Sequence, residues 1–218
     1  MAGILFIISA PSGSGKSTLV SQLRTLVEGL DFSISYTTRA PRGSEENGRE
    51  YYFTTREEFE RMVKADDFLE WAEVFGNYYG TAVSALRHAK EQGKDLLLDI
   101  DVQGALQVIH KMPQAVSIFI LPPSPEVLEK RLKNRSVAEK MTDESVIQKR
   151  LAGARGELKQ VWKYKYALVN DVLENAVEEM KAIVLYERGE QDSAELAASC
   201  RTDAASAKLK AVLEAFQE

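Results

Sequence analysis

The chain has 218 residues and a formal net charge of -5, from 33 acidic and 28 basic side chains; that length suits one domain with insertions or two small ones, and the acidic balance argues against a general nucleic-acid binder. A single cysteine, Cys200, excludes an internal disulfide and a cysteine-cluster metal site, and two histidines, His88 and His110, are too few for a histidine-rich metal centre. No run of eighteen or more apolar residues is present to span a bilayer, so the composition points to the cytosol.

In chain order, "GILFIIS" at 3–9 is a continuous apolar run ending in a glycine-rich turn, the pattern of a strand buried on both faces of a parallel sheet rather than of a signal peptide. "STLVSQLRTLVEG" then places Leu19, Leu23, Leu26 and Val27 at helical spacing and stops at Gly29. From 31 to about 85 the texture changes. "FSISYTTR" and "EYYFTT" read as short strands, separated by the polar turn "APRGSEENGRE". A short helix ("REEFERMVKADDF") and the segment "FLEWAEVFGNYYG" complete what reads as a small insertion with its own strands. The core pattern resumes with a helix around 82–92, the strand "DLLLDID", the helix "VQGALQVIHKM" and the strand "AVSIFIL", closed by Pro122 and Pro123. Helices interrupted by a polar basic stretch fill 125–160; "YALVN" is a last core strand and "VLENAVEEMKAIVLYERG" the helix after it. The segment from 190 on is an Ala-rich amphipathic helix or pair. Alternating strands and helices argue for an α/β fold with a parallel sheet and two inserts outside it.

Three constellations carry chemistry. The first is "APSGSGKST", Ala10, Pro11, Ser12, Gly13, Ser14, Gly15, Lys16, Ser17 and Thr18, which nearly fits the phosphate-binding pattern G-x-x-x-x-G-K-[ST]. Gly13 and Gly15 let backbone N–H groups turn around a phosphate at a helix N-terminus. Lys16 is placed to reach the β- and γ-phosphates and the Ser17 hydroxyl to bind Mg²⁺. Ala10 stands where the pattern has glycine, which is tolerable if that residue needs no positive φ. The second is the pair Arg39 and Arg42 across Pro41, two guanidinium forks suited to a phosphate and joined by the Tyr51 hydroxyl; two arginines in a polar loop are, taken alone, more often surface residues than ligands. The third is Glu70 between Leu69 and Trp71, a costly place for a carboxylate without a partner, although taken alone a helix or strand edge with one exposed Glu is the favoured reading.

Together these residues resemble guanylate kinase, in the stretches "SAPSGSGKST", "TTRAPRGSEENGREYYF", "FLEWAEVFGNYYGT", "LLLDIDVQGA", "FILPPS" and "LVND" over residues 3–188. The resemblance implies a P-loop three-layer α/β core with a parallel sheet, a small α+β GMP-binding insert and a helical lid. The implied division is core at 1–31, insert at 32–85, core at 86–130, lid at 131–153, core at 154–188 and a helical tail at 189–218. It further implies Mg²⁺-dependent phosphoryl transfer from ATP to GMP, and to dGMP, in the cytoplasm by a monomer or homodimer without nucleic acid or membrane. Residues 10–18 and Asn170 would bind ATP. Arg39, Arg42, Tyr51 and Tyr79 would hold the GMP phosphate, and Ser35, Glu70 and Thr81 would read the base. Asp99 and Asp101 would lie near the acceptor, Asp99 also near the metal with Ser17. Arg131, Arg135 and Arg150, with Lys16 and Arg39, would neutralise the transferring group.

The chemistry is consistent with this. Guanine presents N1–H and the 2-amino group side by side, and one carboxylate accepts both; adenine turns an acceptor to it. A phosphate monoester, with its second pKa at about 6, is mostly ionised at neutral pH and needs no general base. Asp101 has a second reading as N-cap of the following helix. Ser44 stands where the family commonly has glycine, and the lid stretch is several residues longer than usual, which bears on Arg135 and Arg150. Two other readings remain: a guanylate-kinase-like module that binds proteins without catalysis, against which stand the intact Lys16 and Ser17, and a kinase for another nucleotide, against which stands Glu70.

Overall fold

The computed structural model describes residues 3–74, 76–138 and 144–217. Two compact units emerge: one formed by the start of the chain through Ile7 and by Gly29–Ala115, the other by Ile8–Glu28 and everything from Val116 on.

The strands of the main sheet follow the order β2-β7-β1-β8-β9, with β1 at Leu5–Ser9, β2 at Leu30–Phe32, β7 at Asp95–Asp99, β8 at Val116–Leu121 and β9 at Tyr166–Val169. β2 with β7, and β8 with β9, pair in parallel. All residues of β1, β8 and β9 are buried, which is why their sequences are nearly continuous apolar runs, interrupted only by the buried Ser9 and Ser117. The α/β class with a parallel sheet is therefore as expected.

In the first unit, α3 (Val83–Glu91) packs on β7, and α4 (Val102–Lys111) leads on from it. The insertion forms a separate four-stranded sheet in the order β4-β3-β6-β5, from β3 (Tyr36–Thr37), β4 (Tyr52–Phe53), β5 (Phe68–Val74) and β6 (Asn77–Ala82). Helix α2 (Arg56–Lys64) closes it with a small apolar core of Phe59, Met62 and Phe68. Its N-cap is Thr55, whose hydroxyl accepts from the Glu58 amide.

The single strand expected over "FSISYTTR" is two short ones. The chain leaves the parallel sheet at Phe32 and enters the second sheet at Tyr36, with the Ser33 amide still donating to the Leu97 carbonyl at the hand-over.

In the second unit, α1 (Lys16–Leu26) and α7 (Leu173–Glu187) pack together, and α5 (Pro125–Ala138) packs on α6 (Glu144–Leu158). Helix α1 ends earlier than its apolar spacing suggests. Val27 leaves it in an extended conformation and takes the last buried place, so Leu26 stays 45% exposed while Val20 is buried. The tail is a pair of helices, α8 (Ala194–Ser199) and α9 (Ala207–Ala215), with an isolated antiparallel bridge between Tyr166 and Arg201. Residues 139–143 of the expected lid lie outside the described residues.

Candidate functional site

The glycine loop between β1 and α1 belongs wholly to the second unit. Gly13 has φ 90° and Gly15 φ 88°, a left-handed backbone that glycine adopts without cost. Ala10 is buried and is not among the positive-φ residues; Asp66 is the one non-glycine residue of that kind described, so alanine fits the first position without strain. The loop is held from three sides. The Ser14 amide donates to the Pro11 carbonyl at 3.1 Å. The Ser14 carbonyl accepts from Asn170 Nδ2 at 2.8 Å and from Arg131 Nη1 at 3.3 Å. Arg131 also donates to the Asn170 carbonyl at 3.2 Å, so Asn170 and Arg131 brace the loop and each other. Under Gly13 lie Leu128 and Leu132 of α5. The Ser14 hydroxyl is buried without a hydrogen-bond partner, a polar atom the fold itself leaves unsatisfied. Ser17 and Thr18 are exposed at the first turn of α1. Arg150 lies on α6; Arg135 lies on α5, but its side chain falls outside what is described.

The remaining candidates belong to the first unit and gather at two ends. At one, Arg39 is 9% exposed and gripped by Glu45 through two bonds of 3.0 Å, Nη1 to Oε2 and Nη2 to Oε1. Glu45 Oε2 also accepts the Arg42 amide at 2.8 Å, so one carboxylate ties both halves of the arginine pair. Arg39 beside it holds the Glu45 carboxyl below the usual range. The Arg39 guanidinium lies 5.3 Å from the Tyr51 ring, and Tyr51 meets Tyr79 edge-on at 5.9 Å. Burial, with Tyr79 and then Asp99 close by, pushes the Tyr51 hydroxyl's pKa up, which keeps it a neutral donor. Arg39, Tyr51, Tyr79 and Asp99 thus form one group. Arg42 sits beside it with its side chain exposed, and Ser35 gives its carbonyl to the Tyr52 amide.

At the other end is Glu70, 2% exposed, opposite Thr81 in the β5–β6 register. Strand β5 alternates regularly but carries a carboxylate on its inner face: Phe68, Glu70 and Ala72 point inward, while Trp71 is 39% exposed. Burial pushes the Glu70 carboxyl up to about 7, with Thr81 opposing the rise and Asp101 adding to it. The Thr81 hydroxyl is fully buried and completes no hydrogen bond of good geometry, although it sits close enough to oppose that rise. Asp101 caps α4, its Oδ1 accepting from Gln103 N at 2.7 Å and Gly104 N at 3.0 Å, so the capping reading is correct and only the second oxygen is left for a ligand. A Cβ on Gly104 would fall 2.3 Å from Glu70 Oε2; glycine there is what lets the carboxylate reach the first turn of the helix.

Two residues not singled out from the sequence hold this arrangement. Gln107 pairs with the backbone of Trp71 in both directions, Nε2 to the carbonyl at 2.7 Å and the amide to Oε1 at 3.4 Å. Lys111 Nζ donates to the Leu69 carbonyl at 2.9 Å. Gly104, Gln107 and Lys111 share one helix face, and β5 is an edge strand, so α4 supplies the partners its open edge lacks on both sides of Glu70. Their 3–4 residue spacing in "VQGALQVIHKM" is visible in the sequence, but their target is not.

The family model described as guanylate kinase matches residues 3–187. The chain belongs to the guanylate kinase family. A guanylate kinase of Koribacter versatilis is 53% identical over 228 aligned residues, covering 100% of this chain and 97% of that one. One from Syntrophotalea carbinolica is 50% identical, covering 85% of this chain and 86% of its own. Among solved structures, the crystal structure of guanylate kinase from Anaplasma phagocytophilum matches with a TM-score of 0.70 at 34% identity, over 87% of this chain and 88% of that one. The resemblance read from the motifs is thus the family assignment, and with it the class of nucleoside monophosphate kinase. No described helix is long and apolar enough to cross a membrane.

Proposed function

We propose that the protein catalyses Mg²⁺-dependent transfer of the ATP γ-phosphoryl group to GMP, and to dGMP, in the cytoplasm, yielding ADP and the diphosphate and so returning GMP to the GTP supply. The observation that carries the choice of acceptor is Glu70. It is buried beside a buried, unsatisfied Thr81 hydroxyl and makes no ion pair among the described residues. A carboxylate kept out of water in this way is costly unless a ligand supplies donors. Guanine's N1–H and 2-amino group supply two, side by side.

On this reading Arg39, Arg42, Tyr51 and Tyr79 hold the acceptor phosphate, with Glu45 setting the aim of Arg39, while Ser35 and Thr81 assist Glu70 at the base and Asp99 and Asp101 flank the acceptor. Residues 10–18 and Asn170 hold ATP. The buried Ser14 hydroxyl is an unmet polar atom in the same loop. No group of three or more carboxylate, histidine or cysteine ligands that could hold a metal exists among the described residues. That suits Mg²⁺, which is commonly carried by nucleotide phosphates with one or two protein oxygens, here the Ser17 hydroxyl and Asp99. The ion would neutralise charge on the phosphate oxygens. Lys16, Arg131, Arg135 and Arg150 would do so from the protein side, with residues 131–153 acting as the lid. The acceptor oxygen is already ionised, so the chain's task is positioning and charge neutralisation.

The test is ADP release with GMP, dGMP, AMP, CMP and UMP as acceptors. Turnover is expected with GMP and dGMP; a preference for AMP, or no turnover with any acceptor, overturns the reading. Arg42→Ala is expected to raise KM for GMP by about tenfold, the loss of one charge-assisted hydrogen bond, with KM for ATP unchanged. A change confined to ATP would contradict the assignment.

A further inference from the structure

The family match ends at residue 187, yet the chain continues through 30 further described residues that do not simply pack on the outside. The tail crosses back to the edge of β9. The Cys200 carbonyl accepts from the Ala167 amide at 2.8 Å and the Thr202 amide donates to the Lys165 carbonyl at 3.2 Å, around the Tyr166–Arg201 bridge. There Thr202, itself 9% exposed, donates its hydroxyl to the carbonyl of Tyr164. Tyr164 is 2% exposed, its ring edge-on to Phe119 at 5.0 Å, and its hydroxyl meets the Ser9 hydroxyl at 2.5 Å. Ser9 is the last residue of β1 and the one before Ala10, where the glycine loop begins.

A second line runs in parallel. Lys208, on α9, pairs with Asp171 Oδ2 at 2.9 Å. Asp171 follows Asn170, whose Nδ2 holds the Ser14 carbonyl and whose own carbonyl holds Arg131.

We infer that the C-terminal tail is a positioning element for the ATP site, with Thr202 acting through Tyr164 on Ser9 and Lys208 acting through Asp171 on Asn170. Both lines end on the loop that binds the donor phosphates, from opposite ends of it: Ser9 fixes where the loop leaves the sheet, and Asn170 fixes the Ser14 carbonyl just before Gly15. A loop whose amides must converge on a phosphate loses affinity when either anchor shifts, because catalytic and binding geometry tolerates little displacement. Buried hydrogen bonds of this kind are sensitive to removal of one partner, which leaves the other unsatisfied. The inference rests on the proposed ATP-dependent activity and deepens it.

The test uses the full chain with two near-isosteric changes that remove a hydroxyl, Thr202→Val and Tyr164→Phe, and with Thr202→Ser, which keeps the hydroxyl and loses only a methyl. Affinity for a non-hydrolysable ATP analogue and for GMP is measured separately by calorimetry, and KM and kcat for each substrate in the assay. Thr202→Val and Tyr164→Phe are expected to weaken ATP-analogue binding and raise KM for ATP by roughly tenfold, with GMP affinity within about twofold of wild type, and Thr202→Ser to restore both. Lys208→Met, which breaks only an exposed pair, is expected to act in the same direction by about two- to threefold. If ATP affinity is unchanged in all of these, or if ATP and GMP affinities fall together, the tail is structural only and the inference is wrong. A wild-type chain that binds the ATP analogue but not GMP would end the proposed activity while leaving the tail's effect on the donor site measurable.

Discussion

Glu70→Gln is expected to cost roughly a hundredfold or more in kcat/KM for GMP and to leave KM for ATP unchanged, since a buried polar site loses discrimination by orders of magnitude when its pairing is broken. The glutamine keeps the size and one carbonyl acceptor but turns an amide donor toward a base that also presents donors. The side chain is buried, 2% exposed, with its Oε2 set closely against Gly104. The acceptor profile across GMP and AMP, measured on both proteins, checks it. An unchanged profile would mean that Glu70 does not face the base.

The same residue predicts a pH dependence of two kinds. Its carboxyl titrates at about 7 in the folded chain, raised chiefly by burial from an ordinary 4.5. Between those values the folded state holds a proton that the unfolded state has released, so stability is highest below about pH 4.5 and falls as pH rises toward 7, by about 3 kcal/mol from this group. Glu70→Gln is expected to lack that fall, and its stability advantage over wild type in denaturant titrations should grow from pH 5 to pH 8. Binding runs the other way. The ionised carboxylate is the form that accepts two donors, so GMP affinity should weaken as pH drops from 8 to 6. The phosphate of GMP titrates near 6 as well, and comparison with Glu70→Gln, which shares the phosphate but not the carboxylate, isolates the contribution of Glu70.

The parts of this site that could be read from the sequence are those whose signal is local. The glycine loop, its flanking strand and helix, and the run from Arg39 to Tyr51 each declare themselves within a few residues. Even the alanine at position 10 could be settled by asking whether its backbone needs a left-handed conformation. What escaped depends on partners far along the chain. Gln107 and Lys111 look like the polar side of an amphipathic helix until the edge of β5 is laid against them. Glu45 reads as one acid among several in a polar turn, yet it fixes Arg39. Thr202 and Tyr164 are 38 residues apart, and Tyr164 and Ser9 are 155 apart. The local rule also fails where the site is built. Strand β5 keeps its alternation, with Phe68, Glu70 and Ala72 inward, yet residue polarity alone would expose Glu70 and bury Trp71. Hydrophobic patterning gives way at the position where the site requires a buried charge.

Gly15→Ala is expected to abolish measurable ATP binding, raising its Kd by at least a hundredfold, while GMP binding measured alone stays as in wild type. Two costs combine. At φ 88° an L-residue is in the left-handed region, which costs on the order of 1–2 kcal/mol. The added Cβ would also stand 2.3 Å from Asn170 Nδ2, a contact that cannot persist. Either the loop or Asn170 must shift, and Asn170 is the group that pins the Ser14 carbonyl and, through its own carbonyl, Arg131. Relieving the clash therefore dismantles the brace on the phosphate loop instead of moving one atom aside. Gly13→Ala provides the contrast. Its φ is equally unfavourable, but its Cβ would press at 2.9 Å on Leu128 Cδ1, an apolar methyl that makes none of the loop's hydrogen bonds. That variant should lose affinity for ATP by only about tenfold, the strain alone. Calorimetry with a non-hydrolysable ATP analogue separates the two. Equal losses for both variants would mean that Asn170 plays no part in holding the loop.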